Sequence, residues 1–242
     1  MDLETAPTPP PAPTVPRALW GLRDMLRASL ATVGLMLIAG IALAVALGVG
    51  QLRGGEEPPM QFMVLAVLSL ELLMIPPAWW WGPRKHGGGW GALGLRRFAP
   101  LRGLILTGLA LLAVLAVSAG WEPIRQRLAL ADQPDVLPMF GEGLGGLALA
   151  LLLGGVVAPL AEEIFFRGFL YAGLRSRLGP TSGVLVSALI FSLVHVLPGV
   201  LLPIFVMGAI FALLYERTGS LWPCIVLHGV INSLAFLGAY LS

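Results

Sequence analysis

The residues able to do chemistry in this chain are few and sit where they are expensive. Glu162-Glu163-Ile164-Phe165-Phe166-Arg167 places two acids and a base inside a long apolar run, with no ionisable side chain from Leu147 to Leu160. Phe191-Ser192-Leu193-Val194-His195 brings a histidine near the end of another apolar run, and His228 stands four residues before Asn232 in a third. Glu71, followed by Pro76-Pro77 and three tryptophans, is a further intramembrane acid. A charged carboxylate at membrane depth costs at least about 3 kcal/mol on insertion scales. Such residues are read first as a functional site facing the protein interior.

Spacing divides their roles. Four residues apart on a helix is one face, so Glu163 pairs with Arg167, and His228 shares a face with Asn232. Glu162 lies five residues from Arg167, roughly 140° around an α-helix, and is left free. Pro159 is expected to bend the helix just before the acids. Glu71 is read as a polar contact between helices and His86, among glycines, as solvated.

The elements that position these groups follow from composition. Of 242 residues, 57% are hydrophobic and 12% charged, with mean hydropathy +0.87. Soluble domains carry about 25% charged residues. The fold class is therefore all-α, a polytopic membrane helix bundle. Seven apolar stretches are long enough to span or nearly span a bilayer: Met25–Val49, Met60–Trp81, Leu101–Gly120, Leu144–Tyr171, Pro180–Val196, Gly199–Tyr215 and Leu221–Leu241. An eighth would return the C-terminus to the starting side. Residues 1–20 form a proline-rich disordered tail, 21–142 the first spans and their loops, and 143–242 the core that carries the motifs.

With the N-terminus inside, all of the 15 lysines and arginines except Arg53, Arg125 and Arg127 fall on the inner side. That bias sets the N-terminus in the cytoplasm. Trp20 beside Arg17, Arg23 and Arg27 reads as an interfacial anchor, and Trp79-Trp80-Trp81 as an inner aromatic belt. One cysteine, Cys224, excludes an internal disulfide. A net charge of +2 on so apolar a chain gives no sign of a nucleic-acid partner. The turn at Gly179-Pro180 would set Glu162 and His195 at similar depth in an antiparallel hairpin, each roughly 22–26 Å from the turn.

Glu162-Glu163-x-x-x-Arg167, Phe191-x-x-x-His195 and His228-x-x-x-Asn232, in that order, resemble the three motifs of the CAAX-protease and bacteriocin-processing (CPBP, Abi-type) family of intramembrane proteases. The resemblance covers roughly residues 143–241. Leu93-Gly94-Leu95-Arg96 also resembles a stretch that often precedes the core of such proteins. The resemblance implies an intramembrane endopeptidase of the bacterial inner membrane, opening toward the cytoplasm, with a peptide or membrane-tethered protein as substrate. It implies that Glu162 and His195 act on water and that His228 and Asn232 stabilise the oxyanion.

The residues accord with that chemistry, since peptide hydrolysis needs an activated water and donors for a developing oxyanion. Glu163 and Arg167 are then supporting residues, and Phe191 a wall. No cofactor is expected. The competing arrangement is zinc held by Glu162, His195 and His228 with one open position, although the sequence lacks His-Glu-x-x-His. Two other classes are a non-catalytic membrane scaffold or immunity protein and a proton-coupled carrier. The absence of paired broken helices in two halves disfavours the carrier.

Overall fold

The computed structural model describes residues 15–52, 66, 70–131 and 136–241. The tail up to residue 14 and most of the second predicted span lie outside the described residues. Every element among those described is helical. Among the described residues, five helices are long and apolar enough to cross a membrane: Leu22–Val49, Pro100–Arg127, Gly143–Leu193, Pro198–Thr218 and Trp222–Leu241. Large apolar side chains such as Ile38, Leu101 and Leu104 stand exposed on their outer faces, as lipid-facing positions must. The chain is an integral membrane protein.

We number the helices α1 (Leu22–Leu52), α2 (Ile75–Trp81, entered through a 3₁₀ turn at Leu70–Met74), α3 (Pro100–Arg127), α4 (Gly143–Leu152), α5 (Ala158–Glu162), α6 (Ala172–Leu193), α7 (Pro198–Thr218) and α8 (Trp222–Leu241). The 51-residue helical run from Gly143 to Leu193 is not straight. At Gly179 the backbone turns to φ 81° and ψ 170°, a conformation only glycine adopts readily, and Pro180 restarts the helix. This is the predicted turn, and it makes two spans of one run. With the described end of the second span, Leu70–Trp81, the architecture is compatible with seven spans.

What the α-helical reading did not anticipate lies on either side of α5. Leu153–Val157 and Glu163–Tyr171 are π-helical. A π turn widens the helix and leaves carbonyls without their usual i+4 partner, and such turns concentrate at functional sites. Pro159 has no N–H to donate to Gly155, so the predicted disturbance is present, but as a widened turn rather than a simple bend. Helix α8 exploits it. A Cβ on Gly229 would collide with the Gly155 carbonyl, and one on Gly154 with the Phe236 ring. Small residues thus let two backbones approach closely, as membrane helix pairs require.

The Leu93-Gly94-Leu95-Arg96 segment is a clamp on the same core. Gly94 takes φ 89° and its Cβ position is filled by the Tyr215 ring. The Gly94 carbonyl accepts from the Leu221 N–H at 2.9 Å. Arg96 Nε donates to the Gly219 carbonyl at 2.6 Å, and the Ser220 hydroxyl donates to the Arg96 carbonyl at 2.7 Å. These bonds tie the α7–α8 turn, and hence the start of α8, to the loop before α3.

Trp20 corrects an expectation. It is 3% exposed, stacks on Phe169 at 5.5 Å and donates its indole N–H to the Phe169 carbonyl at 3.0 Å. Gly173 leaves room for it. Trp20 is therefore a packing residue against the π segment, not an interfacial anchor. His86 is exposed as expected, and its Nε2 lies 3.1 Å from Asp24.

Candidate functional site

The two neighbouring acids part company as their spacing predicts, and further than predicted. Glu163 is fully buried, and its Oε1 accepts from Arg167 Nη1 at 2.8 Å and from His228 Nδ1 at 2.9 Å. Arg167 is 2% exposed and His228 4%. The Glu163–Arg167 pair was legible from the i,i+4 spacing; its bridge to His228, 65 residues away, was not. The guanidinium lies over the Phe191 ring at 4.0 Å and near Phe211 at 4.9 Å. Aromatic faces solvate a cation where water cannot.

Glu162 faces elsewhere. Its Oε2 is buried and has no hydrogen-bond partner among the described residues. The Leu70–Met74 turn packs against α5, and the Glu71 carboxylate is electrostatically coupled to Glu162. Glu71 Oε2 is also buried without a partner. Glu71 is therefore a neighbour of the free acid, which a reading of it as a mere interhelical contact did not place. The only hint in the sequence was its position in an apolar run.

Phe191 joins the two histidines. It is fully buried, and its ring lies 4.9 Å from that of His195 and 6.2 Å from that of His228. His195, half-buried just beyond the C-terminal end of α6, has Nδ1 2.8 Å from the Phe191 carbonyl. A carbonyl can only accept, so Nδ1 carries the hydrogen and neutral His195 presents Nε2 as an acceptor. For His228 the same logic gives Nδ1–H to Glu163, leaving Nε2 outward. Asn232 Nδ2 donates to the Gly154 carbonyl at 2.8 Å, a carbonyl of the first π turn, and keeps a second N–H.

Zinc ligation by Glu162, His195 and His228 can be tested on this geometry. Among the described residues no three acids, histidines or cysteines are grouped to hold one ion. Glu162 is electrostatically coupled to Glu71, and the Phe191 ring contacts both imidazoles. The chemistry proposed below uses protein groups and water. Cys224 is buried, with Sγ 3.3 Å from the Phe211 carbonyl, and takes no part.

Comparison with known proteins agrees with the motifs. Residues 144–234 match the model of the family described as "Type II CAAX prenyl endopeptidase Rce1-like". A Bacillus subtilis (strain 168) protein named "Putative membrane peptidase YdiL" is 33% identical over 89 residues, which are 37% of this chain and 36% of that protein. The match thus spans about a third of that relative's length. No solved structure matches. The matched segment begins at α4 and ends within α8, enclosing both π segments and all three polar motifs, so the similarity to that family falls on residues 144–234.

Proposed function

We propose that the chain is an intramembrane endopeptidase that hydrolyses a peptide bond of a membrane-associated substrate with water activated by Glu162. The observation that carries this reading is the division of the two adjacent acids. Glu163 Oε1 is held by Arg167 and His228, and its Oε2, like Glu162 Oε2, is buried with no hydrogen-bond partner among the described residues; what sets Glu162 apart is that no arginine or histidine among them pairs with it. An acceptor of that kind suits a water proton.

In the proposed step Glu162 takes a proton from water as the oxygen adds to the peptide carbonyl, and His195 Nε2 accepts a hydrogen bond from the O–H that remains on that oxygen. The developing oxyanion is met by the free Asn232 N–H and by His228 Nε2. The latter donates only when the imidazole carries both protons, and the Glu163 carboxylate is its adjacent counter-charge. Glu162 then returns its proton to the leaving amine. Donors held before the reaction are what make such a site effective. The lysine and arginine bias supports a cytoplasmic N-terminus and a site opening to the cytoplasmic side of the inner membrane. We assign the catalytic unit to residues 143–242.

The test uses purified chain in lipid nanodiscs and two reporter sets, prenylated C-terminal peptides and unmodified hydrophobic peptides. Mass spectrometry is expected to find an internal cleavage in at least one set. Prior treatment with a chelator is expected to leave that rate unchanged within about twofold, since each chemical role is filled without a Lewis acid. Loss of activity on chelation, with recovery on adding zinc, would defeat the metal-free mechanism. No cleavage in either set, together with a biological role that survives Glu162→Gln, would favour a scaffold.

A further inference from the structure

A charged cleft at the start of α1 is not used by the proposed reaction. It has a volume of about 500 Å³ and is lined by Arg23, Asp24, Arg27, Lys85 and Arg177, with Gly21 and Leu22. Four cations thus face one anion, and that anion is already occupied. Asp24 Oδ1 accepts from Lys85, while Oδ2 accepts from the Gly21 N–H at 3.2 Å and lies 3.1 Å from His86 Nε2. Arg23, Arg27 and Arg177 are exposed and form no ion pair among the described residues. The Arg177 guanidinium rests against Gly21, where any side chain would displace it.

We propose that this cleft binds the phosphate headgroup of an anionic phospholipid. Guanidinium groups suit phosphate because their paired N–H donors match its oxygens. Three uncompensated arginines around one opening supply that match. The position favours a lipid over free phosphate. The cleft sits at the start of α1, at the edge of its membrane span. From it runs a stripe of exposed apolar side chains, Leu22, Leu26, Leu30, Val33 and Leu37, at helical spacing. A headgroup held by the arginines would place its acyl chains along that stripe. One ligand then satisfies both halves of the surface.

The experiment uses the full chain in neutral detergent, with bound lipid counted by native mass spectrometry. Phosphatidylglycerol is expected to bind at least tenfold more tightly than phosphatidylcholine. A basic side chain at an anionic membrane surface contributes a factor of about five. The double variant Arg27→Gln/Arg177→Gln is therefore expected to lose roughly 30-fold in phosphatidylglycerol affinity. Arg102→Gln, outside the cleft, is expected to leave it unchanged. Arg27→Lys/Arg177→Lys, which keeps the charge but loses the paired donors, is expected to fall between the wild type and the double Gln variant, which shows that the loss is not unfolding. Equal affinity for the two lipids, or an unaffected double Gln variant, would overturn the proposal. So would inorganic phosphate alone at millimolar concentration displacing the lipid, since that outcome identifies a free-phosphate site. None of these outcomes depends on proteolysis.

Discussion

Glu162→Gln is expected to leave the protein folded and to lower peptide cleavage by about 10²–10⁴-fold, the usual contribution of a positioned general base. The two halves of that expectation have separate grounds. Glutamine keeps the shape of the side chain and breaks no ion pair among the described residues, where Glu162 Oε2 has no hydrogen-bond partner. It also relieves the coupling with Glu71. Melting temperature and helical circular dichroism should therefore match the wild type or exceed it. What glutamine lacks is the capacity to take a proton from water. A neighbour in the chain behaves in the opposite way, and the contrast is diagnostic.

Arg167→Met is expected to destabilise the fold by about 3–5 kcal/mol, the cost of stranding one member of a buried ion pair. Glu163 is wholly buried and receives its hydrogen bonds from Arg167 and His228. Without the guanidinium its charge faces only His228. The Phe191 and Phe211 rings also lose the cation that they cover. Denaturation in mild detergent, followed by tryptophan fluorescence, measures the loss. A double variant, Glu163→Gln/Arg167→Met, should recover part of it, because both buried charges are then gone. If the single variant were as stable as wild type, the pair would have no structural role.

Local spacing made some of this legible and long-range packing hid the rest. The Glu163–Arg167 pair and the turn at Gly179 could be read because each depends on a few consecutive residues. The Glu163–His228 bridge depends on α8 crossing the π segment, and nothing within either motif announces it. The π turns themselves were hidden for another reason. Their hydrogen bonds run to i+5, a pattern with no side-chain signature, and only Pro159 with Gly154 and Gly155 hinted at a break.

Other residues were misread or only half read because one local pattern serves two environments. Trp20 beside arginines looks like an interfacial anchor, yet Gly173 provides the gap that buries it. His86 in a glycine-rich loop is exposed as its setting suggests, but Asp24 from the first turns of α1 also reaches it. Glu71 was legible as a polar contact between helices, but not that the helix packed on its turn is α5, with Glu162. In each case the missing information was which distant helix comes next.

The claim on which the account rests is that Glu162 and His195, from separate segments of the chain, work on a single water molecule. A double-variant cycle on cleavage rate tests it most directly. If both groups hold the same water, removing either already forfeits its activation, and losses within such a unit do not multiply. Glu162→Gln, His195→Gln and the combined variant should therefore fall to about the same residual rate. Losses that multiply in the combined variant, or full activity in either single one, would contradict the account.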